Sequence, residues 1–382
     1  MSSAELEADY STCLDEWGFK YDPFRERYPI EPEEFWAGPR KNLEHLQFRL
    51  KSSMSQDEIL SVLLIGDYGT GKTYLLNSLR SFVLKKLGGL GIYVQVPWKA
   101  QPKGFRDFYE SVVREIGSDV IKNAGLKFAE REGINNPDSL RNSLVKKGVP
   151  GDLAAAISNL TYGVEPGLTW IWATANSTIY QQRALGLETN PRDESISVGI
   201  LTGLLDFLSE SSPIIVLFVD ELEGLVGESA AIRSIRTGFR NLYDAIIYGK
   251  HANRFAFFGA ATVETAYDLQ YALGPAVLDR FDETLKLSPL SEEEAQEFVM
   301  DLVKDARKDG EGGASLAPFA GKPSFQEFLG RAPNASVLAG TARAGAPNTP
   351  RRLVKAGKYL LNLACEKKQY PITKEFVSTY LT

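Results

Sequence analysis

Eight consecutive residues combine glycines with a lysine and hydroxyl side chains. They are Gly66-Asp67-Tyr68-Gly69-Thr70-Gly71-Lys72-Thr73, which match the pattern G-x-x-x-x-G-K-[ST]. Glycines let the backbone curl until successive N–H groups point at an anion, and a helix predicted over 72–86 adds its positive N-terminus. We therefore expect the residues from Gly66 to Tyr74 to contact a nucleotide, with Lys72 at its β- and γ-phosphates and Thr73 in the shell of a Mg²⁺ ion.

Two carboxylates directly follow an apolar run later in the chain. The run Ile214–Val219 predicts a buried strand, and Asp220 and Glu221 stand at its carboxyl end. Because the chain also contains a phosphate loop, Asp220 is the expected Mg²⁺ ligand and Glu221 the expected general base that polarises the attacking water. Together the two motifs predict Mg²⁺-dependent hydrolysis of ATP.

The elements that must position these residues alternate between strands and helices. Apolar runs predict five strands, and amphipathic spacing predicts helices between and after them. The strands are expected at 62–65, 92–96, 214–219, 254–259 and 284–287. Buried strands that alternate with helices indicate an α/β fold, a parallel five-stranded P-loop sheet with helices on both faces.

The chain is expected to divide into regions at changes of composition. These are an N-terminal arm (1–40), an α/β ATPase domain (41–288) with a helical insertion at about 118–190, and an all-helical C-terminal lid (289–382). The arm is rich in aromatics, Pro and Glu, which predicts an extended segment with aromatic anchors. In the insertion, Trp170, Trp172 and Tyr180 either pack in a core or form a surface for a partner.

The composition excludes several classes of protein. Of the 382 residues, 43% are hydrophobic and 24% charged, which is typical of a folded globular chain. The apolar run 214–219 falls far short of the ~20 residues that cross a bilayer, so no membrane contact is expected. The two cysteines, Cys13 and Cys365, indicate no disulfide framework, which suits the reducing cytoplasm. Because the chain has only two histidines, no multi-histidine metal site is expected.

Basic residues are concentrated in parts of a chain whose net charge is −6. Residues 301–382 contain 13 basic and 7 acidic side chains, and Arg233, Arg236 and Arg240 share one face of a helix expected over 230–248. Either group could contact the phosphate backbone of DNA. A solvated or salt-bridged helix face explains the same spacing, so both interpretations remain open.

The phosphate loop and the acidic strand end resemble those of the AAA+ ATPases, in particular the Orc/Cdc6 branch with its related mobile-element and defence-system ATPases. The resemblance covers about residues 35–382. Further segments support it in the expected order. These are Phe35–Leu43 at the place of the adenine-binding segment, Phe255–Thr262 at the sensor-1 strand, Leu278–Phe281 at the arginine-finger segment and Gly345–Leu353 at the sensor-2 motif of the lid.

The resemblance implies roles for further residues. Thr262 would contact the γ-phosphate or position the water. Arg280 would reach the nucleotide of a neighbouring copy, although an ion pair with Asp279 or Asp282 is the alternative. Arg351 would contact phosphate from the lid, with Arg352 as its competitor. Gln95 stands where such proteins often have Asn, which puts a role in coupling Glu221 to the ligand in doubt.

The resemblance also implies how the protein works. The first hypothesis is an ATPase that forms a ring or spiral of identical copies with ATP and acts on DNA or on a DNA-processing complex. The second is a nucleotide-gated switch that acts on a protein partner without direct DNA contact. A protein-remodelling ring is a third, but no convincing aromatic pore loop follows the second strand. Only a short helix is expected after the lid, where the initiators carry a winged helix, so we expect any DNA contact to come from the ATPase body or a partner.

Overall fold

The computed structural model describes most of the chain. The described residues are 3–25, 37–38, 44–56, 59–96, 103–225, 227, 229–247, 254–262, 270, 274–308, 316, 318–335 and 348–382. Most of the expected adenine-binding segment and the first residues of the expected sensor-2 motif therefore lie outside them. The chain forms two compact units. We call Gln47–Ile65 with Leu76–Leu285 the sheet unit, and Met1–Leu46 with Gly66–Leu75 and Lys286–Thr382 the lid unit.

Five parallel strands form one sheet in the order β2-β3-β4-β1-β5. Their bounds are β1 Leu60–Gly66, β2 Leu90–Gln95, β3 Ile215–Asp220, β4 Phe255–Thr262 and β5 Glu283–Leu287. Every residue of β3 is buried, as expected for a strand with neighbours on both sides and helices on both faces. The predicted α/β fold with a parallel five-stranded sheet is confirmed.

Helices make up most of the rest of the described chain. In chain order they are α1 Ser3–Glu16, α2 His45–Gln56, α3 Lys72–Lys86, α4 Phe105–Ile116, α5 Ser118–Arg131, α6 Pro137–Lys146, α7 Gly151–Tyr162, α8 Pro166–Ala173, α9 Ile179–Ala184, α10 Glu194–Ser209, α11 Ala230–Ile247, α12 Pro275–Leu278, α13 Glu292–Ala306, α14 Lys322–Arg331, α15 Pro350–Glu366 and α16 Lys374–Tyr380. No helix among the described residues is both long enough and apolar enough to cross a membrane.

The region of the predicted insertion shares the core of the sheet unit. Helices α5 to α8 contribute apolar side chains to the same cluster as β2, β3 and β4. Trp172 is fully buried and its indole N–H donates to the carbonyl oxygen of Thr189 (2.9 Å), whereas Trp170 is partly buried. Tyr180 is 83% exposed. Of the three predicted aromatics, Trp172 is thus a core residue and Tyr180 a surface residue.

The helices of the lid unit begin at local signals. Ser291 and Glu294 form a capping box at the start of α13, and Pro350 opens α15 at its first turn. Helix α14 begins after Gly321 and has Pro323 in its first turn, a position to which Pro is well suited.

The N-terminal segment is a helix followed by a docked loop, so the prediction of an extended arm is wrong. Helix α1 is followed by Trp17, Phe19 and Phe24, which are buried in the core of the lid unit. Phe24 lies against α15 at Gly357, where an added Cβ would be 2.4 Å from the Phe24 ring. Tyr10, Cys13, Leu14 and Trp17 have helical spacing, which is a signal for α1 in the sequence. The predicted aromatic anchors are present as Trp17, Phe19 and Phe24.

Cys13 and Cys365 form a disulfide bond within the lid unit, so the expectation of reduced cysteines is wrong. The bond joins α1 to α15 across 352 residues of sequence, with the two Cα atoms 5.8 Å apart. Such a separation gives no spacing signal, because only tertiary packing brings the residues together. The cysteines therefore give no support to a reducing compartment.

Reduction of this disulfide is expected to lower the melting temperature by roughly 10–20 °C. Closing so long a loop removes roughly 5 kcal/mol of chain entropy from the unfolded state, and each kcal/mol is worth about 2–4 °C in a unit of this size. Scanning calorimetry with and without a reductant measures the difference. The Cys13→Ser, Cys365→Ser double variant is the control and should melt at the lower temperature under both conditions. A parent protein whose melting is unchanged by complete reduction would contradict the expectation.

Candidate functional site

The phosphate loop connects β1 to α3 and is closed by its own lysine. Lys72 is buried, and its ammonium group donates to the carbonyl oxygens of Gly66 (2.8 Å) and Asp67 (2.9 Å). The Thr70 hydroxyl donates to the Asp67 carbonyl oxygen as well (2.8 Å). Thr73, in the first turn of α3, is exposed. The loop thus encloses the ammonium group of Lys72, and the next residue, Thr73, is exposed to solvent.

Arg351 of the lid lies against this loop. Its backbone N–H donates to the Gly69 carbonyl oxygen (3.3 Å), and its guanidinium lies over the Tyr68 ring at 4.6 Å and donates to the Tyr68 hydroxyl. Gly69 permits this approach, because a Cβ there would be 3.0 Å from the Cβ of Arg351. Arg352 instead donates to the carbonyl oxygen of Pro333 within the lid. Of the two competing arginines, Arg351 is therefore the one at the phosphate loop.

The carboxylate of Asp220 is buried and oriented from two sides. It ends β3, and its Oδ1 accepts from the Glu221 backbone N–H (2.8 Å). Its Oδ2 accepts from the Tyr93 hydroxyl on β2, also at 2.8 Å. Burial and the negative charge of Asp220 raise the pKa of Tyr93, so the phenol stays protonated. Sequence reasoning missed Tyr93; the available signal was its place on the strand expected at 92–96, which pairs with the acidic strand in the structure.

Gln95 also contacts this tyrosine. Its side-chain amide donates to the Tyr93 hydroxyl at 3.4 Å, and Gln95 is the register partner of Asp220 across β2 and β3. The side-chain contact of Gln95 is therefore with Tyr93, which in turn contacts Asp220. A role for Gln95 in coupling Glu221 to the ligand stays a prediction.

Glu221 has a left-handed backbone, with φ of 58°. A residue with a Cβ adopts this region at a cost of roughly 1–2 kcal/mol. The conformation opens a tight turn in which the Gly224 N–H donates to the Glu221 carbonyl oxygen (2.8 Å), followed by the short 3₁₀ helix Leu222–Leu225. The glutamate thus stands where the chain turns sharply away from the sheet.

The same turn reaches the end of β4. Glu223 accepts a hydrogen bond from the backbone N–H of Thr262, the last residue of that strand, at 2.8 Å. The sequence had singled out Thr262 but not Glu223. This bond joins the residue expected at the sensor position to the turn that follows the acidic pair. The proposed phosphate or water contact of the Thr262 side chain remains a prediction.

Arg280 makes a two-pronged ion pair with Asp244 of α11. Its Nε is 2.7 Å from Oδ1 and its Nη2 is 2.8 Å from Oδ2, and its side chain is 19% exposed. The hydrogen bonds from Arg280 hold the pKa of Asp244 below its usual range. The partner is thus neither Asp279 nor Asp282, the two that the sequence suggested.

The backbone around Arg280 is held where the parallel strands begin, at their amino ends. The Arg280 carbonyl oxygen accepts from the Ser61 hydroxyl (2.8 Å) and from the Tyr243 hydroxyl, and Asp282 accepts from the Ser61 N–H (3.0 Å). Ser61 is the second residue of β1. Asp220 and Glu221 stand at the other, carboxyl edge of the same parallel sheet, so the arginine and the acidic pair are separated by about 20 Å of strand.

The three arginines of α11 differ in their surroundings. Arg236 donates to the carbonyl oxygens of Leu225 (3.0 and 2.7 Å) and Gly227, so it holds the turn after the acidic pair. Arg233 and Arg240 are exposed, and Arg240 lies 3.7 Å from Asp244. Of the three arginines expected to share an accessible face, Arg233 and Arg240 are therefore the exposed ones. The guanidinium of Arg236 is bound to backbone carbonyl oxygens of the turn.

The donor atoms available in the two motifs match a magnesium ion. Mg²⁺ prefers hard oxygen ligands and is typically held by one or two carboxylates together with the phosphates of its substrate. The carboxylate of Asp220 and the hydroxyl of Thr73 are donors of this kind. Within the described ranges, no cluster of three or more His, Cys, Asp or Glu side chains offers an all-protein metal site.

Comparison of the fold with solved structures identifies similar proteins. The ADP form of the ORC2 protein of Aeropyrum pernix is matched over 95% of this chain and 73% of that chain, with 14% sequence identity and a TM-score of 0.53. A second structure of that protein, in ADPNP–ADP complexes, is matched over 95% and 71%, with 13% identity and a TM-score of 0.54. No protein-family model and no curated protein matches the sequence. The chain therefore has the fold of this ORC2 protein, and its predicted resemblance to the Orc/Cdc6 branch of the AAA+ ATPases is confirmed at the level of fold.

Proposed function

We propose that the protein is a Mg²⁺-dependent ATPase. The observation that carries the proposal is the acidic pair: a buried Asp220 oriented by two hydrogen bonds, followed by Glu221 in a left-handed turn. The acidic pair stands at the carboxyl end of β3, and the phosphate loop follows β1 of the same parallel sheet. The ADP and ADPNP in the ORC2 structures lend further support to a nucleotide as the ligand.

The residues have separate tasks in this reaction. Lys72 exchanges its two carbonyl contacts for phosphate oxygens, and Arg351 adds a second cation from the lid. Asp220 and Thr73 would hold Mg²⁺, which would supply positive charge next to the phosphates. Glu221 takes a proton from the water whose oxygen attacks the γ-phosphorus, and ADP leaves as the bond between the β- and γ-phosphates breaks.

The proposal is tested by measuring phosphate release from ATP by the purified chain. Release should require Mg²⁺ and stop when the metal is chelated. Competition with ADP should be readily measured, because the phosphate loop holds the β-phosphate as well as the γ-phosphate. If the folded protein neither binds ATP nor releases phosphate with Mg²⁺ present, it is not an ATPase.

The active sites are shared between identical copies in this proposal. Arg280 is fixed at the amino edge of the sheet, whereas Glu221 lies at the carboxyl edge, about 20 Å away along the strands. An arginine so placed is too far from its own acidic pair to stabilise charge there. We infer that it serves the nucleotide of a neighbouring copy instead, in a ring or spiral that ATP favours.

Contact with DNA is the next element of the proposal, and it rests on Arg233 and Arg240, the exposed pair on α11. Two phosphate-directed cations bind the DNA backbone without reading bases, so sequence preference should be slight. ATP should strengthen binding, because several copies aligned on one duplex add their weak contacts.

Replacing Arg233 and Arg240 by Glu should therefore weaken DNA binding and flatten its dependence on salt between ~50 and ~200 mM. Arg236 is left in place, because it holds the turn after the acidic pair. The matched control is the double variant Lys122→Glu, Arg141→Glu, which makes the same charge change at exposed positions on α5 and α6. Fluorescence anisotropy of a labelled duplex measures both. If the Arg233→Glu, Arg240→Glu variant binds DNA as well as the control variant across the salt range, α11 does not contact DNA.

A protein partner is the second candidate, and one surface favours it. Ile179 and Tyr180 of α9 are 60% and 83% exposed and stand side by side in the chain. Large exposed apolar side chains are typical of sites that another protein covers. ATP turnover that responds to a protein but not to DNA would make the nucleotide-gated switch the leading function.

We infer a cytoplasmic location, because both ATP and the proposed DNA partner are found there. The disulfide Cys13–Cys365 is compatible with this location in organisms whose intracellular proteins are disulfide-rich, which is the case in hyperthermophiles.

A further inference from the structure

A tyrosine on the strand beside the acidic pair has no assigned part in the reaction described above. Tyr93 lies near the carboxyl end of β2, and its hydroxyl donates to Oδ2 of Asp220 at 2.8 Å. The other carboxylate oxygen accepts from the Glu221 N–H at 2.8 Å. Two donors thus fix the plane of the Asp220 carboxylate. One is the Tyr93 hydroxyl on β2, and the other is the backbone N–H of Glu221, directly after β3.

This arrangement suits a carboxylate that holds a metal ion. A carboxylate bound at one oxygen only can rotate about its Cβ–Cγ bond, and each rotation moves the lone pairs that a metal would use. Hydrogen-bond partners of metal-ligating side chains fix this orientation and raise the affinity for the metal. A phenol is a suitable donor here, because its hydroxyl can donate one hydrogen bond to the carboxylate and adds no charge.

We propose that Tyr93 is a positioning residue that orients Asp220 for Mg²⁺. The proposal rests on the proposed function, because it takes Asp220 as the metal ligand. Tyr93 acts through the carboxylate of Asp220, to which its hydroxyl donates. Gln95 is exposed, and its side-chain amide donates to the Tyr93 hydroxyl at 3.4 Å. It therefore contributes less than Tyr93 to the orientation of Asp220.

The test is the Tyr93→Phe variant, which removes one hydroxyl and keeps the ring. Binding of Mn²⁺ as a probe for Mg²⁺ is measured by electron paramagnetic resonance in the presence of ADP, and binding of ADP without metal is measured by calorimetry. We expect the affinity for Mn²⁺ to fall roughly 10–100-fold, with the affinity for metal-free ADP unchanged. At saturating Mg²⁺, kcat should return to within about twofold of the parent, because excess metal fills a site whose affinity has fallen.

The matched control is Tyr162→Phe, which removes a hydroxyl that donates to the Ile134 carbonyl oxygen (3.1 Å) far along the chain from the acidic pair. Its affinity for Mn²⁺ should equal that of the parent. A Tyr93→Phe variant with parental metal affinity, in a protein whose metal binding is lost in Asp220→Ala, would overturn this inference alone. A parent that binds no Mn²⁺ with ADP would overturn both the inference and the proposed function.

Discussion

The Glu221→Gln variant is expected to bind ATP as the parent does and to hydrolyse it at least ~10²-fold more slowly, the scale of the loss of a general base. Glutamine keeps the size of the side chain and the left-handed turn but cannot accept the proton of the attacking water. Binding should survive, because the phosphate contacts come from the loop that contains Lys72 and not from the acidic pair.

Single-turnover phosphate release and calorimetric ATP binding measure the two effects separately. The Lys72→Ala variant is the opposite case and should lose ATP binding, because the loop loses its buried cation. Glu130→Gln makes the same chemical change on the exposed face of α5 and serves as the matched control with parental turnover. Unimpaired turnover in Glu221→Gln would exclude it as the base.

The Arg280→Ala variant is expected to retain nucleotide and lose hydrolysis by roughly 10³-fold or more, the scale of an arginine that stabilises the transferring phosphoryl group from a neighbouring copy. An equal mixture with Glu221→Gln should recover part of the lost activity. Some interfaces in the mixture then combine an intact glutamate from one copy with an intact arginine from the other, which neither variant provides alone.

The Asp244→Asn variant separates this role from the intrachain ion pair. It weakens the same ion pair as Arg280→Ala does but keeps the guanidinium. Hydrolysis should therefore remain close to parental in Asp244→Asn and disappear in Arg280→Ala. Equal losses in the two variants, with no recovery on mixing, would mean that Arg280 only stabilises the fold. A parent that stays monomeric with ATP at all concentrations would also contradict the shared site.

The parts of the site that are contiguous in sequence could be predicted from it. The phosphate loop and the acidic strand end each occupy fewer than ten residues, and the helix over 72–86 begins and ends as predicted. Local hydrogen bonds and apolar periodicity specify such elements, so a short window of sequence contains the information. The capping box at Ser291 belongs to the same class.

Contacts between elements could not be predicted in the same way. The bond from Tyr93 to Asp220 depends on the register between two strands, and the ion pair of Arg280 with Asp244 depends on how α11 packs on the sheet. The disulfide is the extreme case, because its cysteines stand near opposite ends of the chain. A single sequence reports which residues can make such contacts but not which partner they meet.

The left-handed backbone of Glu221 has a consequence for engineering the protein. Glycine reaches this conformation without the penalty that a Cβ brings, so Glu221→Gly should make the turn easier to form. A procedure that optimises thermostability alone would favour that replacement and, under the function proposed here, would remove the proton acceptor. Thermostability and catalysis thus place opposite demands on this single position, and a stabilised version of the enzyme should keep Glu221 and seek its gains elsewhere.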